Sequence, residues 1–243
     1  MYSFRRFAFV LALVLPAVSV AWSQESSSSS APAAQAQPAA PAETQGQQSV
    51  QARIRARREQ RRAQAIRDTY GHPYEAFVGG GYMRFKPGPN LQKVTMYSWD
   101  TALTRYYSEK LGVTADVRGY YGTTFVGLNQ FGLTKPSIST YTFMGGPTYR
   151  FYARPRYSFS ARALGGLATG NFSGDTNGFK PKALGLYSDS NTYALNGGLV
   201  GETNVTTNLS LRLSGDFLAT GFGSDTQNNF GFTYGFVYRF GKQ

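Results

Sequence analysis

The C-terminal part of the chain alternates large apolar residues with small or polar ones at every second position. In segment 229–240 the alternate positions are all aromatic: Phe230, Phe232, Tyr234, Phe236, Tyr238 and Phe240. The residues between them are small, polar or charged, apart from one valine. Because successive side chains along a strand point to opposite faces, this pattern predicts a β-strand with one aromatic and one polar face.

The same alternation recurs upstream, and we predict eight strands from residue 74 onward. In the seventh, Leu211 and Leu213 lie on one face and Arg212 on the other. In the first, the glycines of 79–81 obscure which residues share a face. The predicted strands are 74–85, 97–106, 111–121, 139–151, 157–168, 192–202, 208–219 and 229–240.

The connections between these segments alternate between long and short. The short ones fall near 107–110, 152–156 and 203–207, and the long ones near 86–96, 122–138, 169–191 and 220–228. This rhythm is typical of outer-membrane barrels, which have tight periplasmic turns and long outer loops. An even number of strands then predicts that both termini lie on the periplasmic side.

Charged residues fall on the polar face, opposite the apolar one. The predicted network in the barrel lumen consists of Arg84, Asp100, Asp116, Arg118, Arg150, Arg162, Glu202, Arg212, Asp216 and Arg239. We therefore predict an all-β fold, an eight-stranded antiparallel up-and-down transmembrane β-barrel that is apolar outside and polar within. Such an interior is just wide enough for side chains to fill. The charges either hold the barrel closed or form a narrow gated pore in which ion pairs exchange partners.

Three further segments precede the barrel domain, which we place at residues 73–243. Residues 1–23 read as a signal peptide with a charged start at Arg5 and Arg6, an apolar run, and small residues at Ala21 and Ser23. A transmembrane anchor is the alternative, but the apolar run is shorter than a spanning helix needs. Residues 24–50, rich in Ser, Ala, Pro and Gln, predict a disordered linker. Residues 51–70 predict a short basic helix.

The basic helix is the unusual feature of the N-terminal region. It carries the seven arginines Arg53, Arg55, Arg57, Arg58, Arg61, Arg62 and Arg67. A solvated spacer is one interpretation. The other is electrostatic binding to an anionic surface, either peptidoglycan or anionic inner-leaflet lipid.

Composition narrows the chemistry further. The formal net charge is +12, and the chain contains no cysteine, which excludes disulfides and thiol chemistry. A soluble protein this basic would suggest nucleic acid, but export argues against that partner. Outer-membrane lipid and lipopolysaccharide phosphates are the anionic partners that we expect.

The end of the last strand carries a recognisable motif. Thr233, Gly235, Tyr238 and Phe240 fit a terminal assembly signal, and segments 112–121 and 194–202 are similar to strands of the same family. The barrel part resembles the outer membrane protein β-barrel domain family, the small eight-stranded porin-like barrels typified by the membrane half of outer membrane protein A. The resemblance implies the barrel-assembly machinery as a partner during biogenesis. The chain departs from the motif by continuing through Gly241 to Gln243.

The sequence offers little for catalysis, and we predict no enzyme, cofactor or metal site. His72, the one histidine, lies in a Gly-His-Pro turn before the first strand. A lipid-A-deacylating hydrolase would need its histidine on a strand. The oxygen-rich loop stretches 173–178 and 223–226 lack the carboxylates of a calcium loop and favour turns.

These observations predict a protein of the cell outer membrane with a structural, envelope-integrity or surface-interaction role. A low-conductance porin-like channel for small solutes is the alternative function. A soluble lipocalin-like carrier would show the opposite polarity, with its apolar side chains inside.

Overall fold

A computed structural model of the chain describes residues 42–127, 132–223 and 226–241. The signal peptide and most of the linker predicted from the sequence lie outside these ranges. The described elements are helix α1 (Ala42–Tyr70) and strands β1 (Tyr74–Phe85), β2 (Val94–Tyr106), β3 (Leu111–Thr123), β4 (Ser137–Ala153), β5 (Tyr157–Gly174), β6 (Ser190–Asn204), β7 (Leu209–Thr220) and β8 (Gln227–Phe240). A 3-10 turn, Pro181–Leu184, lies in the long β5–β6 loop.

The eight strands form a closed antiparallel barrel in which each strand pairs with its neighbours in sequence and β8 pairs with β1. The predicted fold class is confirmed. Seven of the eight strands begin and end within three residues of the predicted ranges, and β5 extends six residues beyond its predicted end. Most are longer at the loop end, where backbone pairing continues beyond the alternating pattern.

The pairing register between neighbouring strands sets the tilt of the strands relative to the barrel axis. Following paired residues once around the barrel leads from Tyr74 back to β1 at Arg84, ten positions further along. With about 3.3 Å per residue and about 4.8 Å between strands, this offset tilts the strands by about 40°. The charged side chains of different strands therefore meet at common heights inside the barrel.

The outer surface is apolar around the whole wall. Phe143 is 55% exposed, Leu211 46% and Phe236 60%, whereas Arg118 and Arg212 are buried in the interior. This polarity excludes the soluble carrier and is that of a barrel crossing a bilayer. No helix among the described residues has the length and hydropathy of a membrane span.

Helix α1 begins at Ala42, so the last nine residues of the segment predicted as disordered linker are helical instead. Ala, Glu and Gln favour helix, and no proline follows Pro41 before the helix ends. The second of the two units into which the chain divides, Gln47–Gln243, contains most of this helix and the whole barrel.

Candidate functional site in the barrel interior

The interior near the short turns is filled by a cluster of five charged side chains, which we call the turn-end cluster: Glu75, Arg150, Glu202, Arg212 and Arg239. Glu75 contacts three arginines, with Oε1 2.5 Å from Arg150 Nη2 and 2.9 Å from Arg239 Nε, and Oε2 3.1 Å from Arg212 Nη2. Glu202 bridges Arg212 at 2.5 Å and Arg239 at 2.6 Å. All five side chains are buried.

A second group, the mid-barrel cluster, consists of Asp100, Asp116, Arg118, Arg162 and Asp216. The Asp116 carboxylate accepts two hydrogen bonds from Arg118, at 2.7 and 3.0 Å. Arg162 donates to Asp216 at 2.9 Å, and Arg118 lies 3.4 Å from the same carboxylate. Among the described residues, Asp100 has one ion pair, at 3.3 Å to Arg118, and no hydrogen bond to its carboxylate.

The two clusters compensate each other in charge. The turn-end cluster has three arginines and two glutamates, and the mid-barrel cluster has two arginines and three aspartates. Hydroxyl groups fill the space between them: Thr114 bonds Thr104 at 2.8 Å and Thr148 at 2.6 Å. Buried ions require such pairing, because each unpaired charge costs several kcal/mol.

Helix α1 closes the turn end of the barrel with the ring of Tyr70. The Tyr70 hydroxyl donates to the Arg154 carbonyl at 2.9 Å and accepts from Asn204 Nδ2 at 2.7 Å. The guanidinium carbons of Arg150 and Arg239 lie 4.5 and 5.0 Å from the ring centre. The ring therefore covers two arginines of the turn-end cluster through cation–π contacts.

The loop end of the interior is closed by apolar side chains. Phe85, Phe172 and Phe222 pack on one another with ring centres 5.3 to 6.1 Å apart, and Tyr187 of the β5–β6 loop packs on Phe172. Leu184 and neighbouring loop residues complete this buried cluster.

Little free volume is left beside the two charged clusters. Within the described ranges, the cavity beside Arg118 and Asp216 and the one beside Arg162 and Arg212 measure about 10 Å³ each. A hole of that size holds one water molecule at most. The interior thus supports closure better than conduction.

The structure brings together nine of the ten residues of the predicted lumen network, and Arg84 is the exception. Arg84 lies on the outer face at the loop end of β1, where its Nη2 donates to the Lys93 carbonyl at 3.2 Å. The prediction was wrong because Phe77, Met83 and Phe85 point inward in this strand, so its apolar residues do not mark the outer face.

Glu75 is a charged residue of the interior that was not predicted from the sequence. Its side chain lies on the same face of β1 as that of Phe77, and it pairs with Arg239 of β8. The sequence did indicate that a carboxylate was missing, because the predicted network contained six arginines and only four carboxylates. A closed network in a dry interior requires nearly equal numbers.

The other predicted residues lie at the ends of the barrel or on its surface. Tyr238 and Phe240 point outward, whereas Thr233 is buried. His72 Nδ1 lies 2.9 Å from the Gly241 carbonyl, outside the strands. The seven arginines of α1 are all exposed. Within the described ranges there is no group of three metal-ligating side chains.

A second basic feature lies beside the β4–β5 turn, outside the strands. Arg154 Nε donates to the Tyr152 hydroxyl at 3.1 Å, and this hydrogen bond raises the pKa of Arg154 above its ordinary value. Arg62 of α1 lines the same cavity as Arg154 and Arg156.

Solved structures with the same architecture are small outer-membrane barrels. Ail, the attachment invasion locus protein of Yersinia pestis, matches with 17% identity and a TM-score of 0.46 over 69% of this chain and 97% of its own. Neisserial surface protein A matches with 13% identity and a TM-score of 0.48 over the same shares. OprG from Pseudomonas aeruginosa matches with 12% identity and a TM-score of 0.49 over 70% of this chain and 97% of its own. No family model and no curated protein matches the sequence.

Proposed function

We propose that the protein is an integral barrel of the cell outer membrane that serves envelope integrity or surface interaction and does not conduct solutes. The filled and paired interior carries this proposal. Five arginines and five carboxylates occupy the lumen, Tyr70 covers one end and an apolar cluster covers the other. The short turns and both termini would face the periplasm, and the long loops would face outward.

Charged and aromatic residues on the outside of the barrel and on α1 support the partners that we propose. Arg84 and Lys93 lie at the loop end of the wall, where the phosphates of lipopolysaccharide would be within reach, and Lys93 Nζ donates to the Asn228 carbonyl at 3.1 Å. The exposed Tyr238 and Phe240 end the last strand, and the barrel-assembly machinery would recognise them together with Thr233 and Gly235 during biogenesis. The arginines of α1 would face peptidoglycan or anionic inner-leaflet lipid.

Conductance in planar bilayers tests this function. We expect no current steps from the inserted wild-type chain, because cavities of about 10 Å³ cannot hold a continuous column of water. The protein is delivered to the bilayers in vesicles, and heat-modifiable gel mobility of the protein in these vesicles verifies separately that the barrel is folded, so that the absence of current reports a closed barrel. Discrete current steps from inserted protein would favour the porin-like channel instead.

A further inference from the structure

A basic cavity lies where α1 passes the turn between β4 and β5. The cavity is an open depression of the surface that measures about 400 Å³ and is lined by Arg62, Tyr152, Arg154, Pro155, Arg156 and Tyr157. Its charged groups are three guanidinium groups, and none of them has a carboxylate of the described residues within ion-pair distance. Three arginines that line one space without a carboxylate partner favour an anionic ligand.

The aromatic residues of this cavity continue into an apolar groove on the outer wall. Tyr157 stacks on Tyr152 at 5.9 Å and contacts Phe159 at 6.3 Å. Tyr157 and Phe159 also line a groove of about 490 Å³ that crosses β5, β6 and β7 towards Phe232. Tyr157 therefore belongs to both the basic cavity and the apolar groove.

Two glycines form the floor of the groove. Gly201 pairs with Phe159 on one side and Leu213 on the other, and Gly215 lies between Leu199 and Phe232. A methyl group built on Gly201 would meet the Phe159 ring at 3.4 Å and nothing nearer. The missing side chains thus leave an apolar depression between large outward residues.

We propose that the cavity and the groove together bind one anionic phospholipid of the inner leaflet. Arg62, Arg154 and Arg156 hold its phosphate, and the groove over Gly201 and Gly215 takes an acyl chain. A free phosphate or a peptidoglycan carboxylate would use the cavity but not the groove, whereas an amphiphile uses both. The assignment of the leaflet rests on the proposed function, which puts the short turns on the periplasmic side.

Lipid titration of the refolded full chain in a neutral detergent, followed by native mass spectrometry, tests this site. We expect one phosphatidylglycerol to be retained, and phosphatidylcholine with the same acyl chains or inorganic phosphate to bind about tenfold more weakly or less. Equal retention of the two phospholipids, or full occupancy by phosphate alone, would overturn the proposal.

Matched variants separate binding at this site from general attraction of an anionic lipid to a basic protein. The triple change Arg62→Gln, Arg154→Gln and Arg156→Gln should weaken phosphatidylglycerol binding about tenfold or more. The triple change Lys135→Gln, Lys180→Gln and Lys182→Gln removes the same charge from the exposed long loops and should leave binding within about twofold. Equal losses in both triple variants would contradict a defined site.

The groove has its own pair of variants. Gly201→Leu fills the depression and should weaken phosphatidylglycerol binding, whereas Gly145→Leu adds the same side chain on the outer face of β4, where its Cβ would meet only a carbonyl at 3.7 Å. Identical binding by the two variants would remove the acyl-chain part of the proposal. Insertion of the chain into vesicles is measured separately, before any lipid is titrated. A chain that does not insert would contradict the proposed function and not the lipid site.

Discussion

At the scale of single residues, the interior depends on carboxylates that are each shared by several arginines. Glu75 contacts Arg150, Arg212 and Arg239 and is buried. Nothing in its local sequence sets it apart, since a lone glutamate at the start of a strand usually faces water. The three guanidinium groups that it contacts come from β4, β7 and β8, so its role follows from closure of the barrel.

Replacing Glu75 tests this arrangement. Glu75→Gln leaves three buried arginines with Glu202 as their remaining carboxylate, and we expect the free energy of unfolding to fall by about 3–5 kcal/mol. Urea unfolding in phospholipid vesicles, followed by the fluorescence of the outward Trp99, measures the change. Glu109→Gln, in the exposed β2–β3 turn, is the control and should change stability by less than about 0.5 kcal/mol. If Glu75→Gln left the free energy of unfolding unchanged, the network would not stabilise the fold.

At the scale of elements, the strands were predictable and the attachment of α1 was not. Alternation fixes which face of a strand is apolar, and it identified the outward residues of β3, β4, β6, β7 and β8 from the sequence. The basic helix shows no apolar face that would predict docking. Tyr70 at its C-terminal end is buried and reaches Arg154 and Asn204 in distant parts of the chain.

Tyr70 is therefore expected to hold the helix against the barrel. Tyr70→Ala removes the buried ring and both hydrogen bonds, and should lower the free energy of unfolding by about 3 kcal/mol. It should also free α1, which a nitroxide attached at Gln64→Cys would report as increased mobility, since the chain has no other cysteine.

Tyr70→Phe is the matched variant for this test. It keeps the ring over Arg150 and Arg239 but loses the hydrogen bonds, so an intermediate effect on stability is expected. If the label at residue 64 were equally mobile in all three chains, the ring would not anchor the helix.

At the scale of the whole molecule, an apolar belt surrounds a charged interior. This belt is the part of the barrel wall that would contact lipid and not water. Val78 lies on the outer face in the middle of β1 and is 62% exposed, while Val205 in the β6–β7 turn is 58% exposed. The two valines thus have similar exposure but would meet different surroundings, lipid for Val78 and water for Val205.

This pair provides a direct test of membrane embedding. Val78→Arg should destabilise the barrel in vesicles by about 2–4 kcal/mol, because a cation on the lipid face near the bilayer midplane costs that much. Val205→Arg should stay within about 0.5 kcal/mol of the wild type. Equal effects of the two changes, measured by urea unfolding, would place water rather than hydrocarbon around the wall.

The sequence by itself determined the number of strands, the rhythm of turns and loops and, for most strands, the outward face. These properties have a local period, and side chains two positions apart share a face in any register. Only the tertiary structure decided which charges meet, because partners such as Glu75 and Arg150 depend on the ten-residue offset accumulated around the closed wall. Closure also decided that Arg84 lies outside, because the neighbouring Phe85 packs inside on Phe172 and Phe222. Tyr70 covers one end through contacts with Arg154 and Asn204, which are distant in sequence.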